Sequence, residues 1–121
     1  MDEEISEFPE SGRRFLALRD DWIDHVNQCH ALSHATARVG TFIALRMNAH
    51  NQRSNWPVKK IARMLGCSTK TVSVALEELR AENLLVVHRP SRRQKQTYFI
   101  HLPWTSDVVA TSLSDVVSTS L

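Results

Sequence analysis

The chain has 121 residues, 42% hydrophobic and 23% charged, the size and balance of one globular domain rather than two. No apolar run approaches the ~18 residues of a membrane span, and the acidic opening MDEEISEFPESG has no apolar core, so it is not expected to be a secretory signal. The net charge of +2 conceals an asymmetry, because residues 1–45 sum to −4, residues 46–104 to +8 and residues 105–121 to −2. A cationic middle between acidic ends is the charge pattern expected of a nucleic-acid-binding segment. Cys29 and Cys67 are far apart and in no metal-ligand spacing, so the expectation is two reduced thiols in a cytoplasmic protein, nucleoid-associated if bacterial.

Residues 1–13, acidic and carrying Pro9 and Gly12, read as a loose arm. From Phe15 the apolar residues fall at Phe15, Leu18, Trp22, Val26 and Cys29, steps of three and four that suggest a helix. Asp20 or Asp21 equally suits the cap of a shorter helix, with Phe15 to Leu18 entering as an extended segment. Trp22, Ile23 and Val26 either finish the core or make a homodimer seam within residues 15–30. Ser33 suits the cap of a core helix over HATARVGTFIALRMNAHN, with Ala35, Val39, Phe42, Ile43 and Met47 inward. After the loop NQRSNWP, Pro57 suits the first turn of a helix VKKIARML, with Val58, Ile61, Ala62 and Leu65 inward. Gly66 breaks it. Ser68 caps the next helix, whose inner stripe is Val72, Ala75, Leu76 and Leu79, and Asn83 suits the left-handed position that closes it. LLVVHR and TYFIHL are β-rich runs joined by the polar loop PSRRQKQ, a hairpin with a long basic tip. The tail repeats SDVVATSL (106–113) as SDVVSTSL (114–121), without aromatic residues or a helical stripe, and reads as a low-complexity, disordered appendage.

Ala62, Gly66 and Val72 have the spacing of a helix-turn-helix: a small residue where two helices cross, a glycine in the turn, and a residue packing the second helix on the first. The run from Asn55 to Ile100 resembles the winged helix-turn-helix domains of bacterial, phage and plasmid regulators and replication initiators. The resemblance is carried by Trp56-Pro57, Ile61-Ala62, Leu65-Gly66-Cys67-Ser68, Thr71-Val72, Leu76, Leu79, Leu84 and Tyr98, and spans about residues 33–102. Val58 stands where a polar cap is usual, and Asn83 where glycine is usual. The implied fold is mainly α with a small β-hairpin: a three-helix core plus wing over 33–104, an extra N-terminal helical or extended segment over 14–32, and a flexible tail over 105–121.

Such a unit places its second helix in the major groove of double-stranded DNA. The expected recognition residues are Ser68, Thr69, Lys70, Thr71, Ser73, Val74 and Glu77. Lys70 can donate to guanine, Thr69 and Ser73 to a base edge or a phosphate, Val74 can pack on a thymine methyl, and Glu77 can accept from cytosine or orient a neighbouring cation. Lys59 and Lys60 lie in a helical first turn, where the macrodipole disfavours cations and a phosphate would relieve the conflict. Arg89, Arg92, Arg93 and Lys95 equip the wing for phosphate contact or minor-groove insertion. A purely solvated charged surface is the bland alternative for each of these residues.

Cys29, His30 and His34 lack a fourth ligand and a continuous helix between them, so no metal site is expected. There is no Gly-rich phosphate loop, paired catalytic carboxylate or Ser/His/Asp set, so neither catalysis, a cofactor nor a small-molecule ligand is expected. The function expected is sequence-specific DNA binding, in transcription regulation or origin recognition. The octapeptide repeat implies a repeated stretch of codons, which suits an origin repeat inside the gene or a product of replication slippage. A winged helix that binds only proteins is the competing class.

Overall fold

The computed structural model describes residues 10–89, 91 and 96–104. The expected arm tip, the wing residues Arg92, Arg93 and Lys95, and the repeat tail lie outside the described residues.

Helix α1 spans Glu10–Gln28. It runs unbroken through Asp20 and Asp21, so the reading with an extended Phe15–Leu18 segment is overturned, and helix begins at Glu10 within the stretch expected to be a loose arm. The reason is a single apolar stripe. Phe15, Trp22 and Val26 are fully buried, with Leu18 and Cys29 packed against the same core at its edge, while Asp20, Asp21 and Asp24 stay on the exposed face. Trp22 donates its indole N–H to the carbonyl of Leu84 at 2.9 Å. Trp22 and Val26 therefore finish the core, with Ile23 partly buried against it.

Helix α2 spans His34–Leu45, with the Ser33 hydroxyl accepting from the amide of Thr36. Two details differ from the expected helix over 34–51. Ala35 is exposed and Thr36 is buried instead, because the Thr36 hydroxyl donates to Glu78 Oε1 at 2.6 Å. The helix also stops early. Asn48 Oδ1 accepts the amides of His50 and Asn51 at 2.8 and 2.7 Å, a local side-chain turn that competes with continued helix. Met47 stays buried beyond the helix end, held near α1 where Arg19 donates to its carbonyl at 3.2 Å.

Helix α3 spans Val58–Leu65 and α4 spans Thr69–Ala81. Ile61 and Ala62 of α3 are buried, and so are Val72, Ala75, Leu76 and Leu79 of α4. Both helices end in a left-handed residue, Gly66 (φ 71°) and Asn83 (φ 62°). In each case the two following hydrogen bonds reach back as the paired closing motif requires: Cys67 to Ala62 and Gly66 to Arg63, then Leu84 to Leu79 and Asn83 to Arg80.

Strand β1 (Leu85–His88) pairs antiparallel with β2 (Thr97–Ile100), with Leu85 opposite Ile100 and His88 opposite Thr97. On the other edge of β2, Tyr98 exchanges both backbone hydrogen bonds with Ser54, at 2.7 and 3.1 Å. The molecule is thus mainly helical with a small antiparallel hairpin, the layout of a winged helix with an added N-terminal helix. One core joins α1 to the rest, and Gly40 marks a close approach within it. A Cβ there would sit 3.2 Å from Trp22 Cη2 and 3.3 Å from Leu79 Cδ1, so α1 and α4 converge on α2 where it has no side chain.

Candidate nucleic-acid interface

The turn between α3 and α4 is closed by local chemistry. Gly66 adopts its left-handed conformation in open space, with nothing within 4 Å of the position a Cβ would take; it is needed for its φ alone. Ser68 then caps α4, its hydroxyl accepting from the Thr71 amide at 3.1 Å and lying 2.9 Å from the Thr71 hydroxyl. Of the expected recognition residues, Ser68 and Thr71 are thus engaged with each other in the cap.

The remaining five share one surface. Thr69, Lys70, Ser73, Val74 and Glu77 are all exposed, opposite the buried stripe of Val72, Ala75, Leu76 and Leu79. Val74 is 47% accessible, one of a few large apolar side chains left outside the core. Glu77 is paired with Arg80 at 3.2 Å, one turn on, with both side chains largely in solvent. Its carboxylate orients a neighbouring cation, and Lys70 has no carboxylate partner among the described residues.

Glu78 turns the other way. It accepts from the Thr36 hydroxyl and, at 3.4 Å, from the Ser33 amide, so α4 supplies the start of α2 with the acid its own first turn lacks. This contact fixes α4 against α2 and sets which face of α4 is presented outward. Sequence reasoning missed it, because the partners are 42 residues apart and neither side chain forms a local motif.

Helix α3 begins at Val58 after Pro57 in the capping position, with no side-chain cap and no acid in its first turn. Lys59 and Lys60 are exposed there, and the Lys60 ammonium stands 4.5 Å over the Trp56 ring. Arg89 is exposed at the end of β1. The structure thus brings the α4 face, the α3 start and the base of the hairpin onto the exterior of a shared core. Arg46, Arg53 and Arg80 are further exposed cations that the sequence reading passed over; Arg46 meets Phe42 across one helical turn, while its approach to Trp56 and that of Arg53 to Phe99 come from the fold.

No protein-family model matches the chain, and no curated protein does. Among solved structures it is similar to one described as the N-terminal domain of DNA binding protein, at 13% identity and a TM-score of 0.46, over 74% of this chain and 72% of that one. Among the described residues, no helix is long and apolar enough to cross a membrane.

Proposed function

We propose that this protein binds double-stranded DNA by inserting α4 into the major groove, as a cytoplasmic transcription regulator or origin-binding protein without catalytic activity. The observation that carries this reading is the division of α4. Its apolar stripe is fully spent on the core, while its other face offers small hydroxyls, one apolar side chain, a lysine without a carboxylate partner among the described residues and the Arg80-paired Glu77 to the exterior. That set matches what base edges and phosphates present, namely acceptors for a lysine, donors and acceptors for hydroxyls, and a methyl for Val74. Thr69 and Lys70 lie at the N-terminal end of the helix, the end that meets the bases when such a helix is docked. Lys59, Lys60 and Arg89, together with Arg92, Arg93 and Lys95 of the hairpin tip, serve as phosphate contacts that set the orientation. Along the sequence, acidic residues are concentrated elsewhere, in residues 1–24.

A gel shift with mixed-sequence duplex at low salt tests the proposal. Micromolar binding that weakens steeply with salt is expected. An absence of any shift would refute DNA binding and favour a winged helix that engages only proteins.

A further inference from the structure

Residues 25–76 contain no Asp or Glu and seven Lys and Arg. The fold sets three of these cations on aromatic rings. The Arg46 guanidinium lies 4.0 Å from the Phe42 ring centroid and 5.4 Å from that of Trp56. Phe42 and Trp56 meet edge to face at 5.3 Å, and Lys60 stands on the same indole at 4.5 Å. Two cations thus share one two-ring platform, within about a Debye length of each other. Arg53 stands 5.1 Å over Phe99 and donates Nε–H to the Asn51 carbonyl at 3.0 Å. It precedes Ser54, whose backbone pairs with β2, which places it at the edge of the hairpin, in the segment that leads to Trp56. All three cations are exposed. Among the described residues no carboxylate pairs with any of them; ion pairs are formed instead by Arg19 with Asp20 and by Arg80 with Glu77.

Gathering like charges without counter-ions is unfavourable in the free protein, and the rings offset it only in part. The same rings hold the side chains in place, which lowers the ordering cost when a ligand binds. Guanidinium groups fixed in this way suit phosphate oxygens, which they can grip in two parallel hydrogen bonds. The platform runs directly into the first turn of α3 through Trp56 and Lys60, so the ligand that reaches Lys59 and Lys60 also reaches Arg46.

We propose that Arg46, Arg53 and Lys60 form a second, aromatic-backed phosphate shelf that takes the DNA backbone flanking the base pairs met by α4. The proposal rests on the DNA-binding reading above and extends the footprint beyond the helix-turn-helix. It assigns Arg46 and Arg53 a contact that carries affinity and no sequence information.

The test compares the wild-type chain with the double variant Arg46→Gln/Arg53→Gln in salt titrations on a selected site and on random duplex. Each phosphate left without its cation removes about 0.9 from the slope of log K against log salt, so the slope should fall by about 1.8, with equal weakening on both duplexes and an unchanged preference between them. Arg46→Lys/Arg53→Lys should keep the slope. An unchanged slope in the glutamine variant, with wild-type binding intact, overturns the shelf and leaves the DNA reading standing; failure of the wild type to bind any duplex overturns both. Should the glutamine pair unfold by circular dichroism, arginine modification of the wild-type chain by phenylglyoxal decides. Duplex should protect Arg46 and Arg53 several-fold. Full reactivity in the complex, or protection by polyglutamate but not by duplex, would overturn the proposal.

Discussion

Replacing Gly66 with Ala isolates the backbone requirement of the turn that sets α4 on α3. Gly66 has φ 71° and no atom within 4 Å of the position a Cβ would take, so the substitution introduces strain without a clash. Left-handed backbone costs a residue with a Cβ about 1–2 kcal/mol. Ala also restricts the unfolded chain, which returns about 0.4–1 kcal/mol. The net loss is about 1 kcal/mol, or about 4–8 °C in Tm for a domain of this size. Thermal and urea unfolding followed by circular dichroism would measure it, and Gly66→Asn should recover part of the loss because Asn tolerates this conformation. Both variants should keep an unaltered core. A loss above about 3 kcal/mol would mean that the turn has hidden contacts. No loss at all would mean that the left-handed turn is not the structure adopted in solution.

Trp22→Phe removes the indole bond to Leu84 and leaves a void against Gly40, while the Leu84 carbonyl keeps its bond from the His101 amide at 2.9 Å. The expected loss is about 2–3 kcal/mol, and Gly40→Ala, destabilising alone through its 3.2 Å approach to Trp22, should be partly rescued in the double variant, as read by a denaturant double-mutant cycle. Tyr98, the single tyrosine of the chain, is buried, and desolvation holds its phenol above the usual value of 10.0. Because the folded state keeps that proton longer than the unfolded chain, stability is full below pH 10 and falls as pH rises through the folded pKa. Tyrosinate absorbance at 295 nm should rise later than in urea, and Tyr98→Phe should remove this part of the alkaline loss; coincident titrations with and without urea would contradict the burial of the phenol.

What could be read from the sequence was what local chemistry decides. Val72, Ala75, Leu76 and Leu79 form a helical stripe whatever surrounds them, Ser68 caps its own helix, and Gly66 and Asn83 each close one by backbone conformation, and all of these take those places in the structure. What could not be read depended on distant partners. Thr36 looks like a surface residue until Glu78 is packed beside it. The stripe ending in Met47 argued for a longer α2, and the side chain of Asn48, by capturing two amides, settled the end. For α1, aspartates at a capping spacing competed with an apolar stripe running from Phe15 to Cys29, and burial of Phe15 with Trp22 decided for one helix. The outward face of α4 was legible as a set, while the turning of Glu77 to Arg80 was an open alternative; Arg46 on Phe42 and Lys60 on Trp56 are pairs four residues apart, whereas the seats of Arg46 on Trp56 and of Arg53 on Phe99 belong to the tertiary fold.

Selection of bound sequences from a random duplex pool, run in parallel on the wild type and on Lys70→Ala, tests the central claim most directly. The wild type should enrich a defined motif containing a guanine, and Lys70→Ala should lose preference at that position while losing about 1–3 kcal/mol on the selected site. Equal recovery of all sequences by the wild type, or a motif unchanged by the loss of Lys70, would contradict the reading of DNA by the outward face of α4.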